Sequence, residues 1–256
     1  MLEPTSRFTS RVENYIKYRP GYPAEILDIL REECGLDASW GVADMGSGTG
    51  LLSELFLKNG NLVYGIEPNA AMRSAGEAIL GEYPNFASVD GTAESTTLPD
   101  SWVEMITAGQ AFHWFDRAEA KKEFARILCP GGRIVLVWND RLVTGNKFLE
   151  EYDRLLREFT REYEQVSHRS INEEVLADFF APGACVFRHC RNSQTFDFDG
   201  LKGRLLSSSY SFEPGDSGYE PMIAELTRIF KECEQDGRVV LEYETRVYIG
   251  GPVGLV

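Results

Sequence analysis

The sequence predicts an α/β fold in which the strands of a mostly parallel sheet alternate with helices. Short apolar runs alternate with amphipathic stretches between residues 40 and 138. A glycine-rich loop directly follows the first run, and polar residues follow the ends of the later ones. Alternating strands and helices form parallel sheets with right-handed crossovers, and these sheets bind ligands at the carboxyl ends of their strands. We therefore expect a ligand site at that edge.

Each predicted element follows from its local pattern of apolar residues. The predicted strands are residues 41–45, 61–67, 86–89, 102–108, 133–138, 185–198 and 238–249. The predicted helices are residues 7–18, 24–34, 51–58, 68–80, one that ends at 126–129, and 147–165, 171–180, 200–209 and 219–233. Pro20 and Pro23 separate the first two predicted helices, because proline cannot continue a helix. We expect a helical cap over residues 1–36, a ligand-binding core over 37–140, and a cover with the last two strands over 141–256.

Composition excludes several classes of function. A net charge of −14 makes nucleic acid an improbable partner, because binding to phosphates requires clustered Lys and Arg. The five Cys form no C-x-x-C pair and there are only three His, so we expect neither a metal site nor a disulfide framework. No apolar run reaches the ~18 residues of a membrane span, and the first residues do not resemble a signal peptide. These features favour a cytoplasmic protein with a small-molecule substrate.

The glycine loop is the most informative stretch. Asp44 lies in the first strand, and the loop that follows contains Gly46, Ser47, Gly48 and Gly50. The backbone can turn sharply at the glycines, and the N–H groups at the start of the next helix are unpaired. The dinucleotide fingerprint G-x-G-x-x-G needs its third glycine at position 51, which is Leu. Asp44 would meet a cationic group better than a pyrophosphate.

A second acidic residue, Glu67, ends the second predicted strand. Its spacing from the loop is typical of a carboxylate that accepts hydrogen bonds from ribose hydroxyls. This feature by itself does not distinguish a nicotinamide dinucleotide from S-adenosylmethionine (SAM), and an exposed strand-end Glu is the structural alternative.

Together these residues resemble the class I SAM-dependent methyltransferases, whose D-x-G-x-G-x-G loop holds the amino-acid end of the cofactor. The resemblance implies SAM as cofactor, S-adenosylhomocysteine as product, and a Rossmann-like seven-stranded sheet. In that sheet the last-but-one strand in space is antiparallel, with helices inserted after the fifth strand and between the sixth and seventh.

Residues 90–94, Asp-Gly-Thr-Ala-Glu, resemble the adenine-lining segment of the type 11 subgroup, with Thr92 in place of the usual Asp. Residues 109–116 resemble the Q-A-x-H-W-x-D run of trans-aconitate methyltransferase-like enzymes. With the loop and Glu67, the candidate cofactor residues are Pro68, Met72, Thr92, Ala93, Glu94, Gln110 and Phe112. Met72 could instead belong to the core, and the aromatic residues could close the core beneath the loop instead of offering a π face to the sulfonium.

Substrate contacts are expected from three places. The cluster Tyr15, Tyr18, Arg19 and Tyr22 either packs the N-terminal cap or closes over the cofactor, as the resemblance to methyltransferases with a Y-x-x-x-R-P-x-Y-P segment implies. His113 is the candidate general base, or else a hydrogen-bonding wall or a capping residue. The remaining candidates are Trp114, Arg141 and Tyr210. Arg19 or Arg141 could grip a carboxylate, or could be ordinary arginines paired to nearby acids.

The sequence therefore predicts a SAM-dependent methyltransferase that acts on a small molecule. If the trans-aconitate resemblance extends to substrate, the acceptor is a carboxylic acid. The protein is expected to be a monomer or weak homodimer. A SAM-binding regulator without activity and an NAD(P)-dependent oxidoreductase are the alternatives.

Overall fold

A computed structural model describes residues 16–160, 171–208 and 210–251 of the chain. Tyr15, most of the predicted first helix and the end of the predicted helix 147–165 lie outside the described residues. The strands are β1 (Gly41–Met45), β2 (Leu62–Ile66), β3 (Phe86–Val89), β4 (Val103–Gly109), β5 (Leu128–Arg141), β6 (Cys185–Phe196) and β7 (Val239–Gly250). The main helices are α1 (Glu25–Cys34), α2 (Leu51–Asn59), α3 (Ala70–Leu80), α4 (Arg117–Ile127), α5 (Lys147–Phe159), α6 (Glu173–Phe180), α7 (Phe198–Leu206) and α8 (Tyr219–Cys233).

The strands form one seven-stranded sheet in the order β3-β2-β1-β4-β5-β7-β6. The first five strands run parallel, and β7 lies antiparallel to both β5 and β6. The predicted Rossmann-like sheet, including its antiparallel last-but-one strand, is confirmed. Because β1 and β4 are neighbours with β2 and β3 on the far side of β1, the chain reverses direction across the sheet at β1. Ligands bind at such reversal points.

Helices pack on both faces of the sheet. One cluster of buried residues joins α1, α2 and the end of α3 to Val42, Met105, Val135 and Val247. The other joins α4 and α6 to Ile106, Ile134 and Leu136. Alternate residues of each strand contribute to opposite clusters, as the twofold periodicity of strands requires.

A third cluster lies beyond β5, where β6 and β7 extend further than their neighbour. Here α5, α7 and α8 pack on Leu241 and Tyr243, and we refer to these three helices as the cover. The pairing of β5 with β7 ends at Arg141↔Tyr243, whereas β6 and β7 stay paired to Phe196↔Val239. The cover therefore lies past the carboxyl end of β5, on the side where ligands of such sheets bind.

Several predicted boundaries differ from the structure; the helix expected over residues 200–209, for example, is Phe198–Leu206. The strand expected over residues 133–138 begins at Leu128, directly after α4, and continues to Arg141. Its extension to Arg141 is paired with β7, and its start at Leu128 is paired with Val103 of β4, contacts that local sequence does not reveal. The helix expected from Pro68 begins at Ala70, because the Asn69 side chain accepts hydrogen bonds from the N–H groups of Ala71 and Met72 and so acts as its N-cap.

Among the described residues, no helix is long and apolar enough to cross a membrane.

Candidate active site

The glycine loop joins the end of β1 to the start of α2 at the reversal point of the sheet. Gly46 and Gly50 have φ angles of 66° and 89°, a conformation that residues with a Cβ atom rarely adopt. A Cβ at Gly46 would lie 2.8 Å from the Ala111 Cβ, and one at Gly50 would lie 2.3 Å from the Leu80 side chain. At these two positions glycine is thus needed for packing against protein as well as for the turn.

Gly48, in the middle of the loop, has more free space around its Cα than Gly46 or Gly50. A Cβ at Gly48 would meet the Met72 methyl group at 3.3 Å and otherwise only the Gly46 carbonyl oxygen at 4.0 Å. Met72 is 4% exposed and supports the loop from α3, which favours the core interpretation for this residue. Ser47 also belongs to the loop, and its N–H donates to the Ile66 carbonyl at the end of β2.

Glu67 connects the loop to the second strand. Its Oε2 accepts a hydrogen bond from Gly48 N–H at 2.9 Å, and its Oε1 accepts one from Asn69 N–H at 2.8 Å. Burial raises the pKa of this carboxyl, while the two backbone N–H bonds oppose the change. The structural alternative of an exposed strand-end Glu is therefore wrong, since the residue is 9% exposed. A carboxylate offers about four lone pairs, so Glu67 retains acceptor capacity for ribose hydroxyls.

Asp44 lies in β1 beneath the loop and is 1% exposed. Its Oδ2 accepts from the Ser53 hydroxyl at 2.6 Å and its Oδ1 accepts from the Thr107 hydroxyl at 3.0 Å. Burial raises the pKa of Asp44 to about 6. The carboxylate braces β1, β4 and α2 together, and it places a negative charge below the loop when ionised. Direct contact with the amino-acid end of a cofactor stays a prediction.

The predicted adenine segment lies after β3. Thr92 is half-buried and pairs through its backbone with Ser95, and Ala93 is 3% exposed within the core. Glu94 Oε1 accepts a hydrogen bond from Asp116 N–H at 2.8 Å. Glu94 therefore holds the start of α4, a role that sequence reasoning did not anticipate. Pro68, half-buried between Glu67 and the N-cap of α3, lies on the same edge.

The aromatic segment after β4 divides into a buried and an accessible part. Phe112 is fully buried, with its ring 4.7 Å from Phe179 and 6.2 Å from Trp138 between centroids. This burial favours the interpretation that Phe112 closes the core. His113 and Trp114 are half-buried, with their ring centroids 4.7 Å apart. Unlike Phe112, both keep part of their surface accessible directly after β4.

Gln110 fixes the start of this segment. It has a φ of 56°, and its Nε2 donates to the Asn139 carbonyl at 3.0 Å. Asn139 also donates through Nδ2 to the Gly21 carbonyl at 3.2 Å, and its Oδ1 accepts from the Thr245 hydroxyl at 2.6 Å. Sequence reasoning missed Asn139, although a polar residue directly after the apolar run of β5 was a usable signal.

Residues 18–22, which we call the strap, run from the cover to the end of β4. The Tyr18 ring packs against Gly203 of α7, where a Cβ would lie 2.1 Å from the ring. Tyr22 packs against Gly109, where a Cβ would lie 2.5 Å from the Tyr22 hydroxyl. Arg19 donates through Nη2 to the Ser207 carbonyl at 3.0 Å. The strap thus brings predicted substrate residues to the carboxyl edge, while Tyr15 lies outside the described residues.

Arg141 is engaged within the cover. Its Nη2 lies 2.6 Å from the Asp153 carboxylate, and both side chains are about one-tenth exposed, at 10% and 11%. The guanidinium also lies over the Tyr152 ring, 5.3 Å from its centroid. These contacts favour the interpretation of a paired arginine. Tyr210 is half-buried and packs against the buried residues of the cover.

Sequence reasoning missed a second arginine, Arg204 of α7. It is 7% exposed, and its Nε donates to the Tyr243 hydroxyl at 3.3 Å. Its neighbours in sequence resemble an ordinary amphipathic helix, so no local signal distinguished it.

The glycine loop, the acidic residues at adjacent strand ends and the sheet order define the class I methyltransferase fold. Residues 43–136 match the family described as methyltransferase domain. For this part of the chain, the match confirms the prediction of a class I SAM-dependent methyltransferase domain of type 11. The narrower resemblance to trans-aconitate methyltransferases stays a prediction.

Relatives and solved structures agree with this assignment. An uncharacterised methyltransferase of Mycobacterium tuberculosis is 40% identical over 134 residues, 52% of this chain and 52% of its own length. An uncharacterised methyltransferase-like protein of Schizosaccharomyces pombe is 28% identical over 247 residues, 94% of this chain and 93% of its own. A solved structure of a provisionally assigned type II methyltransferase from Anaeromyxobacter dehalogenans has the same fold, with a TM-score of 0.69 at 19% identity, covering 92% and 99% of the two chains. The chain spans about half the length, 52%, of the mycobacterial relatives that it matches.

Proposed function

We propose that this protein transfers a methyl group from SAM to a small-molecule acceptor. The observation that carries the proposal is the link between Glu67 Oε2 and Gly48 N–H, which unites the glycine loop and the acidic end of β2 in one site. In that arrangement an anionic acceptor of hydrogen bonds lies beside an open turn of backbone. A nucleoside with two ribose hydroxyls and a cationic amino-acid tail matches both parts.

The described residues fit this cofactor. Glu67 would accept from the ribose hydroxyls, and the open side of the loop at Gly48 would lie along the ligand. Asp44 would supply negative charge beneath the amino-acid end, and Gln110, Thr92 and Ala93 would border the base. The region proposed for the acceptor is bordered by the strap, by His113 and Trp114, and by the cover.

Bound SAM supplies a methyl group on a sulfonium, which an electron-rich acceptor atom can attack directly. The chain's own task is to align the acceptor and to exclude water, and alignment can contribute ~7–11 kcal/mol to lowering the barrier. A carboxylic acid acceptor would be ionised at neutral pH and would need no base. His113 would act as a base only for an acceptor that must lose a proton, such as a phenol.

The test begins with SAM and S-adenosylhomocysteine binding by titration calorimetry, followed by product formation against a panel of small acids, phenols and amines. Glu67→Ala should weaken SAM binding, whereas Glu82→Ala, a change at an exposed position just after α3, should not. SAM binding without turnover on any acceptor would favour a regulator. Tighter binding of NAD(P)H than of SAM would overturn the proposal.

A further inference from the structure

Arg204 is a buried cation whose bonded partners carry no charge. Its Nε donates to the Tyr243 hydroxyl at 3.3 Å and its Nη1 donates to the Ser208 hydroxyl at 3.2 Å. Tyr152 and Tyr210 also lie close enough to act electrostatically on the guanidinium. Tyrosine and serine hydroxyls are neutral near pH 7. Among the residues that the structure describes, Arg204 has no carboxylate partner.

Asp153, a buried acid of the cover next to Tyr152 in sequence, is already engaged. Asp153 accepts from Arg141 at 2.6 Å and from Arg157 Nε at 2.8 Å. Arg141 and Arg204 both act electrostatically on Tyr152, and the Asp153 carboxylate is bonded to Arg141 and Arg157 and not to Arg204.

This arrangement is costly for the free protein. Taking an ion out of water without a counter-ion destabilises the folded state, even after the surroundings relax. The carbonyl groups at the C-terminal end of α7 stabilise a cation in the last turn, and so offset part of this cost. The two long hydrogen bonds to neutral hydroxyls offset a further part of the cost. An anion bound at Arg204 would offset the remainder.

Arg204 is connected to the edge where the cofactor would bind. Tyr243 lies opposite Arg141 in the sheet, and Thr245 follows two residues later on the same face of β7. Thr245 bonds to Asn139, whose carbonyl accepts from Gln110 at the end of β4. The strap makes a second connection, since Arg19 bonds to the end of α7 at Ser207 and Tyr22 packs at the end of β4.

We propose that Arg204 binds a carboxylate of the methyl acceptor, with Tyr243 and Ser208 holding the guanidinium in place. The inference rests on the proposed function and specifies which residue selects the acceptor. A guanidinium binds the two oxygens of a carboxylate through a planar pair of N–H groups, a geometry that lysine lacks. Because that pairing withdraws electron density from the carboxylate, the bound carboxylate serves as an anchor and the methyl group goes to another atom of the acceptor.

The experiment measures binding of carboxylates to the protein saturated with S-adenosylhomocysteine. The probes are succinate, citrate and benzoate, each compared with its uncharged amide, by titration calorimetry. The wild-type protein should bind at least one carboxylate in preference to its amide. Arg204→Met should weaken that binding by about tenfold or more, the usual effect of losing a charge-assisted pair. Its affinity for S-adenosylhomocysteine should stay within about twofold of wild type, because Arg204 lies in the cover and not at the loop.

Arg154→Met is the matched control. Arg154 lies on α5 of the same cover, its side chain is 46% exposed, and it pairs with Glu151 and Glu225 on the surface. This variant should bind carboxylates as wild type does. If Arg204→Met does not fold, Arg204→Lys tests the inference in its place, since lysine keeps the positive charge but lacks the planar pair of N–H donors. Carboxylate affinity should then fall by about fivefold or more while amide affinity is unchanged.

Several results would overturn the inference. These are equal affinity for carboxylates and amides, no binding of any carboxylate at millimolar concentration, and undiminished carboxylate binding in Arg204→Met or, if that variant is unfolded, in Arg204→Lys. In each case tight S-adenosylhomocysteine binding would leave the proposed function standing. Failure of the wild-type protein to bind S-adenosylhomocysteine would overturn both.

Discussion

Replacing Glu67 by alanine is the sharpest test of the cofactor site, because this carboxylate has one role within the protein and another toward the ligand. Within the protein it accepts from Gly48 N–H at 2.9 Å and from Asn69 N–H at 2.8 Å. Toward the ligand it would accept from ribose hydroxyls. Alanine removes both sets of contacts.

The expected loss of SAM affinity is ~2–4 kcal/mol, the scale for two hydrogen bonds to a charged group less partial compensation by water. This corresponds to ~30- to 700-fold in Kd. Stability should fall as well, by ~1–3 kcal/mol, because the Gly48 and Asn69 N–H groups lose their acceptor in a buried place.

The two effects can be separated by comparing Glu67→Ala with Glu67→Gln. Glutamine keeps one acceptor oxygen and loses the charge, so the loop should be better preserved while ribose binding remains weakened. Calorimetric titration with S-adenosylhomocysteine gives the affinity, and urea unfolding gives the stability. If Glu67→Ala binds as tightly as wild type, the assignment of Glu67 to the ribose is refuted. If it loses affinity only in proportion to its unfolded fraction, the role of Glu67 is structural.

Three further predictions follow from buried groups. The pKa of Asp44 is raised from 3.8 to about 6. As the pH rises through about 6, ionisation of Asp44 therefore lowers the stability of the folded protein. The same ionisation supplies the negative charge that a cationic ligand needs. Below pH 6, SAM affinity measured by calorimetry should fall by up to ~tenfold per pH unit. In Asp44→Asn the affinity should hardly change with pH, and an equal pH dependence in both proteins would contradict this prediction. Gly50→Ala should lower the free energy of unfolding in urea by ~2–4 kcal/mol, because Gly50 has a φ of 89° and a Cβ there would clash with Leu80. If the variant is as stable as wild type, the loop can shift to accept the Cβ. Arg141→Met should lower the free energy of unfolding by ~1–3 kcal/mol in the same measurement. This is less than the loss for a fully broken buried ion pair, because Asp153 keeps Arg157 as a second partner. A loss below about 0.5 kcal/mol would show that the Arg141–Asp153 pair is only as strong as a surface ion pair.

The sequence by itself determined the features that depend on neighbours along the chain. The strand–loop–helix unit at Asp44 to Gly50 was predictable because glycine spacing and an apolar run are local properties. Glu67 was predictable because a strand of known length ends there. The alternation of strands and helices then implied a parallel sheet, and the resemblance to methyltransferases supplied the direction of β7.

Only the tertiary structure decided which side chains remain available to a ligand. Phe112 was an equal candidate for the cofactor and for the core, and its contacts with Phe179 and Trp138 favour the core. Arg141 was a candidate for a substrate carboxylate, and its partner proved to be Asp153 of the helix that follows. Local sequence cannot supply these outcomes, because each depends on partners that the fold brings together.

Arg204 shows the same limit most clearly. In the sequence it is one cation in an amphipathic helix, and such residues usually lie at the surface. In the structure the packing of α7 against β7 brings it to Tyr243, 39 positions away, and buries it. Burial, together with the identity of the neighbours, changes an ordinary surface charge into a candidate anion site. Its chemistry is therefore a property of the fold, whereas the glycine loop is already specified by a few consecutive residues.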